Sequence, residues 1–131
     1  MKIFLLDDSI RRLQRFHRVF CTHEIAHSAD AQEAIIRLAE ERFDLICLDH
    51  DLTEHDTNWI ASGTGFEVAE FLGSNDTPNN ETLIIVHTMN PAGGERMMLA
   101  LKHRYSCRIS IIDLFNPEVI ANMIEAKQKK N

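Results

Sequence analysis

Ionisable side chains follow an apolar stretch in the middle of the sequence, where a buried strand would end. Leu45–Leu48 is followed directly by Asp49, His50 and Asp51. A run that apolar is typical of a strand buried on both faces of a parallel sheet. An acidic residue after a strand is often an ordinary loop or helix-capping residue. Two carboxylates and an imidazole crowded together are nevertheless costly, unless a cation or a phosphorylated ligand compensates them. We therefore take this strand end as the centre of a candidate site.

Other apolar stretches end in the same way. Asp7 and Asp8 follow the first, His87 and Thr88 the fourth, and Asp113 the fifth. Because the carboxyl ends of parallel strands meet at one edge of a sheet, we expect these residues to lie close together. Clustered oxygen ligands with few soft ligands favour Mg²⁺ or Mn²⁺. The sequence thus predicts a divalent metal held by Asp7, Asp8 and Asp49, with Asp51 orienting a histidine or supporting the ligands.

The elements that must position these residues alternate along the chain. Predicted strands cover residues 2–6, 24–26, 44–48, 83–86 and 108–112, and an amphipathic helix follows each of them. This alternation predicts a single α/β domain over residues 1–131, a doubly wound five-stranded parallel sheet with helices on both faces. A polar loop from His50 to Ser62 is long for a strand-to-helix connection, and such loops are commonly functional or mobile.

Groups suited to phosphate binding and proton transfer flank the same edge. Asn90 precedes Pro91 as a helix cap, and Gly93 and Gly94 place bare backbone in the first helical turn. Their amides are candidates to bind phosphate oxygens, together with Thr88, Asn90 and either Arg11 or Arg96. Since imidazole titrates near neutral pH, His50 and His87 are predicted to share general base and acid work.

The aspartates and the threonine resemble a known constellation. Asp7-Asp8, Asp49 and Thr88 are similar to the acidic pocket, the phospho-acceptor aspartate and the hydroxyl residue of the response-regulator receiver domain. The resemblance implies a flavodoxin-like strand order 2-1-3-4-5 and a metal held by Asp7 or Asp8 with Asp49. A receiver carries a lysine after strand five, where this sequence offers Asp113. The usual phosphorylation switch is therefore not expected.

Longer motifs point to one branch of that fold. The sequence LDHDL at 48–52 and the pattern HxxNPxG at 87–93, with residues 6–11 and Thr64-Gly65, resemble the cyclic-phosphate-processing receiver-like domains. That resemblance implies action on cyclic phosphate ends or nucleotides. The leading hypothesis is a metal-dependent phosphoesterase whose ligand is a cyclic nucleotide or a cyclic-phosphate RNA end. The alternative is a non-enzymatic receiver-like module that binds a partner.

Composition excludes several other classes. A net charge of −6 argues against a long nucleic-acid groove, which depends on neutralising many phosphates. No apolar run approaches the roughly 20 residues of a membrane span, and the apolar N-terminal segment is too short for a signal peptide. Three widely spaced cysteines show no zinc or disulfide pattern. We therefore expect a cytoplasmic protein with reduced thiols, and the sequence leaves its oligomeric state open.

Overall fold

The strands and helices alternate along the chain as predicted. The computed structural model of the 131-residue chain describes residues 1–52 and 63–130. The strands are β1 (Lys2–Leu6), β2 (Glu24–Ser28), β3 (Leu45–Leu48), β4 (Leu83–Val86) and β5 (Ser106–Arg108). The helices are α1 (Ile10–Val19), α2 (Ala31–Glu40), α3 (Gly65–Ser74), α4 (Pro91–Ala100), α5 (Ile111–Leu114) and α6 (Pro117–Lys130). Most of the long connection after β3, residues 53–62, lies outside the described residues.

The five strands form one parallel sheet in the order β2-β1-β3-β4-β5. This confirms the predicted doubly wound, flavodoxin-like α/β fold. In this order β1 and β3 are neighbours, and so are β3 and β4. Leu6 pairs with Leu48, and Leu48 pairs with Val86. The residues that follow these three strands therefore lie side by side at one edge.

Alternate residues of each central strand enter two separate cores. In β3, Ile46 and Leu48 pack with α2, α3 and α4, whereas Leu45 and Cys47 pack with α1 and α6. All four residues have no exposed surface. Burial on both faces explains why the central strands are continuously apolar rather than alternating. It also makes the sheet a rigid support for the polar residues at its edge.

Strand five differs from its prediction. The predicted strand 108–112 is instead the end of β5 and the start of the short helix α5, so six helices are described rather than five. Ser110 caps α5, because its Oγ accepts a hydrogen bond of 3.1 Å from the backbone N–H of Asp113. Asp113 therefore lies within a helix, and the prediction that it follows strand five was wrong. Ile109 and Ser110 stand there instead.

Among the described residues, no helix combines the length and the hydrophobicity that a membrane span needs.

Candidate functional site

A pocket of about 250 Å³ opens at the carboxyl edge of the sheet. Its lining residues come from the segments after β1, β3, β4 and β5: Asp8, Arg12, Asp49, Asp51, Thr88, Met89 and Ile111. The sheet topology places them together, since each follows a parallel strand or lies in the helix that comes next. The predicted edge is therefore the site of a concave surface lined by both polar and apolar groups.

Beneath this pocket lies a buried group that matches part of the predicted metal site. Asp7, Asp49 and His87 each offer one ligand atom, and these atoms all lie within 4.8 Å of one another. The exposed fractions of the three residues are 4%, 5% and 0%. Asp8 is buried beside them, with 6% exposed. Two converging carboxylates and an imidazole are a suitable donor set for a divalent cation.

Arg12 holds the aspartates together, although the arginines predicted from the sequence were Arg11 and Arg96. Its Nε and Nη2 donate to the two carboxylate oxygens of Asp7 at 2.9 and 2.8 Å. Its Nη2 also lies 3.3 Å from Asp49 Oδ2 and 3.8 Å from Asp8 Oδ1. The i, i+4 spacing of Asp8 and Arg12 was too weak a signal, because Asp8 precedes the Ser9 cap and is not part of the helix.

The site divides its charge unequally between two aspartates. Burial alone would raise the pKa of Asp7, but hydrogen bonds from His87 and Arg12 outweigh it and lower the pKa from 3.8 to about 2. Asp49 behaves in the opposite way. Its burial raises its pKa above the ordinary value, and the nearby charge of Asp7 adds to this rise. The lowered pKa favours the ionised form of Asp7. The raised pKa disfavours the ionised form of Asp49, and a bound cation would favour it.

His87 lies under the pocket rather than in its wall. Its Nε2 contacts Asp7 Oδ2 at 3.1 Å, and its residue has no exposed surface. Because Asp7 is ionised, Nε2 is the protonated nitrogen. No described residue offers Nδ1 a hydrogen-bond partner, which is unusual for a buried polar atom. Such burial does not support the prediction that His87 exchanges protons with a ligand. It fits a residue that positions Asp7.

His50 lies outside the pocket lining, next to Asp51, and its ring is held by its neighbours. Its Nδ1 lies 2.8 Å from Asp51 Oδ1 and 3.5 Å from Asn90 Nδ2. The ring packs on Gly93, where an added Cβ would stand 2.6 Å from ring carbons. His50 and His87 therefore contact different carboxylates, Asp51 and Asp7, and their side chains share no hydrogen-bond partner among the described residues. The orienting role predicted for Asp51 matches this contact.

Several predicted phosphate ligands lie elsewhere. The backbone N–H groups of Gly93 and Gly94 donate to Asn90, to its Oδ1 at 2.9 Å and its carbonyl oxygen at 2.8 Å. The cap of α4 thus engages both amides and the Asn90 side chain. Arg11 is exposed on α1 outside the pocket lining. Arg96 stacks 4.4 Å over the ring of Phe66, between α3 and α4.

Of that group, Thr88 alone lines the pocket. It is 6% exposed, and its Oγ accepts a hydrogen bond of 3.1 Å from the backbone N–H of Asn90. A hydroxyl that accepts one hydrogen bond still has its own proton to donate. Thr88 can therefore hold a phosphate oxygen, as predicted from its place after strand four.

Comparison with known proteins agrees with this arrangement. A CheY-like response regulator receiver domain protein from Methanospirillum hungatei JF-1 superposes with a TM-score of 0.67 at 18% identity. The N-terminal domain of a response regulator/sensory box/GGDEF 3-domain protein from Carboxydothermus hydrogenoformans superposes with a TM-score of 0.70 at 14% identity. Both alignments cover 99% of this chain and 98% of the other. No curated protein sequence matches the chain. The profile of the family described as "Cyclic-phosphate processing Receiver domain" matches residues 1–103. The chain therefore belongs to the cyclic-phosphate processing receiver domain family.

Proposed function

We propose that the protein is a metal-dependent phosphoesterase that acts on a cyclic phosphate or a related phosphodiester at the carboxyl edge of its sheet. The observation that carries this proposal is the buried group of Asp7, Asp49 and His87 at an open pocket whose lining includes Asp49. Membership of the cyclic-phosphate processing family supports a phosphorylated ligand. A cyclic nucleotide or a cyclic-phosphate RNA end is the class that we favour.

The donor atoms fit a hard divalent cation, Mg²⁺ or Mn²⁺. Asp7, Asp8 and Asp49 would hold it, since all three carboxylates converge within 4 Å of the Arg12 guanidinium. When bound, such a cation polarises a phosphoryl oxygen and lowers the pKa of bound water. The raised pKa of Asp49 is a feature that an added cation in this group would relieve.

The remaining residues bind the ligand and move protons. Thr88 donates its hydroxyl proton to a phosphate oxygen from the pocket wall. His50 is the proton-transfer group, because Asp51 holds its Nδ1 and orients the ring so that Nε2 can act as base or acid. His87 keeps Asp7 ionised and oriented. This arrangement retains the predicted role of His50 and changes that of His87 to a positioning residue.

Hydrolysis of defined substrates tests the proposal. Wild-type protein would be offered 2′,3′-cyclic nucleotides, cyclic-phosphate RNA ends and a generic phosphodiester, with and without Mn²⁺. We expect Mn²⁺-dependent ring opening, because water activation needs the cation. We expect His50→Ala to lose roughly 10²- to 10⁴-fold in rate while it keeps the fold.

The matched control is His103→Ala, which removes an exposed histidine after α4. It should retain the wild-type rate. Hydrolysis of none of the substrates by the wild type, or equal rates for wild type and His50→Ala, would exclude this mechanism.

A further inference from the structure

The position of Arg12 bears on how the site would bind a metal and a phosphate. We propose that Arg12 is an internal counter-ion that a divalent cation must displace from the aspartates, and that the displaced guanidinium then binds a phosphate oxygen in the pocket. This inference rests on the metal site of the proposed function. It makes metal binding and phosphate binding two consequences of one movement.

Arg12 and a metal would compete for the same carboxylate oxygens. Both carboxylate oxygens of Asp7 accept hydrogen bonds from Arg12, at 2.8 and 2.9 Å. A cation held by either oxygen would share that oxygen with a donating nitrogen of Arg12. Asp49 Oδ2 repeats the conflict, since Nη2 lies 3.3 Å from it. Two positive charges so near to each other in a buried site repel strongly.

Arg12 is also the member of the group able to move. Its side chain is 27% exposed, whereas those of Asp7 and His87 have no exposed surface. Its backbone is fixed, because its N–H donates to the Ser9 Oγ that caps α1. Rotation about the long side chain therefore moves the guanidinium without opening the core. The aspartates have no comparable freedom.

The displaced guanidinium has a destination in the pocket. Arg12 already lines the pocket, as does Thr88, which offers a hydroxyl. A guanidinium is a planar donor suited to two hydrogen bonds with a phosphate. Among the predicted phosphate ligands, Arg11 and Arg96 lie outside the pocket lining. Among the described residues, Arg12 is the arginine that lines the pocket, so it is placed to bind the ligand after it leaves the aspartates.

Direct measurement of metal affinity tests the exchange. The dissociation constant of Mn²⁺ would be determined from the EPR signal of free Mn²⁺ for wild type, Arg12→Met and the matched control Arg18→Met, an exposed arginine on the same helix. If wild-type Arg12 leaves the aspartates in only a tenth of molecules, Arg12→Met should bind Mn²⁺ roughly tenfold more tightly. Arg18→Met should match the wild type. Equal or weaker binding by Arg12→Met overturns the exchange.

Thermal melts add a result that a merely structural ion pair would not give. Arg12→Met should have a lower Tm than the wild type without metal, and the difference should narrow at saturating Mn²⁺ because the variant gains more from binding. A difference that stays constant counts against the exchange. Should Arg12→Met fail to fold, Arg12→Lys keeps the charge and loses the two-nitrogen contact. It should change both measurements in the same direction.

The phosphate step has its own measurement. At saturating Mn²⁺, titration with inorganic phosphate should show roughly tenfold weaker binding to Arg12→Met than to the wild type. Equal binding overturns that half of the proposal. The results of these measurements can be distinguished from those of the enzyme assay. Tighter Mn²⁺ binding by Arg12→Met without any hydrolysis supports the exchange and removes the phosphoesterase. Hydrolysis with unchanged Mn²⁺ affinity removes the exchange alone.

Discussion

At the scale of single residues, Asp7 is the carboxylate around which the site is built. It accepts from Arg12, His87 and the backbone N–H of Ser9, and its side chain has no exposed surface. A buried charge is tolerable only with such complete pairing. Removal of any partner would leave part of that charge uncompensated. Asp7 therefore links the stability of the fold to the protonation of the site.

This link predicts a specific dependence of stability on pH. The pKa of Asp7 falls from 3.8 to about 2 on folding, so its ionised form stabilises the protein at every pH above about 4. That stability, about 2 kcal/mol, is lost as the pH falls from about 4 to 2. Urea unfolding of wild type and Asp7→Asn at pH 5, 4 and 3 measures it. The difference between their free energies of unfolding should shrink toward low pH.

Glu95→Gln, which removes an exposed carboxylate on α4, controls for the loss of one charge. A difference between wild type and Asp7→Asn that is the same at all three pH values would show that Asp7 is not ionised in the way described.

The aspartates at the strand ends could be predicted from the sequence, but the arginine that pairs with them could not. Arg11 and Arg12 are adjacent, and only the rotation of α1 about its axis decides which of them faces the edge. That rotation is set by the burial of Phe16, which depends on tertiary packing. For the same reason the burial of His87 could not be inferred from its place after a strand.

At the scale of elements, the junction of β3 and α3 fixes the position of Asp49. The N–H of Gly65 donates to the carbonyl oxygen of His50 at 2.8 Å, and a Cβ on Gly65 would lie 1.8 Å from the carbonyl oxygen of Asp49. Only glycine permits this approach between the helix start and the strand end. Thr64-Gly65 therefore belongs to the site although neither residue lines the pocket.

Gly65→Ala should consequently damage the site as well as the fold. Overpacking of this kind costs about 1–3 kcal/mol of stability, and here it displaces the Asp49 backbone. Gly73→Ala is a matched control, because its Cβ would lie 2.0 Å from the carbonyl oxygen of Ala100 at the other end of α3. Both variants should lower the Tm. Gly65→Ala alone should also weaken Mn²⁺ binding, and equal Mn²⁺ affinities would show that the junction does not position Asp49.

The other elements were predictable to different degrees. The continuous apolar runs of β3 and β4 identified them as buried strands, and Asn90-Pro91 identified the start of α4. Strand five was misplaced because Ile109, Ile111 and Ile112 form an apolar run that resembles a strand. The Ser110 cap begins a helix within that run. A single serine in an apolar run is a weak signal of a helix start in a sequence.

At the scale of the whole molecule, the fold is that of a receiver but the charges at its edge differ. The residues directly after β5 are Ile109 and Ser110, so no lysine stands there. Among the described residues, the cation beside Asp49 is Arg12, which comes from α1 instead. Asp49 keeps its place after β3 and lines the pocket. The receiver fold of this chain therefore does not imply that the chain is switched by phosphorylation of Asp49.

We accordingly expect Asp49 not to retain a phosphoryl group. Incubation of wild type and Asp49→Ala with a small phosphodonor and Mg²⁺, followed by intact mass measurement, gives a direct answer. The masses should stay unchanged over the incubation, because no lysine is placed to pair with an acyl phosphate. A stable added phosphoryl group in wild type that is absent from Asp49→Ala would favour the alternative, a receiver-like signalling module.

In the proposed reaction, a divalent cation and a ligand phosphate meet in the pocket at Asp7 and Asp49. The ³¹P NMR line of a 2′,3′-cyclic nucleotide reports this directly, since nearby Mn²⁺ broadens it. With wild type and a little Mn²⁺, we predict broadening well beyond that caused by Mn²⁺ alone. With Asp49→Asn, which removes a ligand charge and keeps the shape, we predict only the background. No extra broadening with the wild type, or the same broadening with both proteins, would contradict the account.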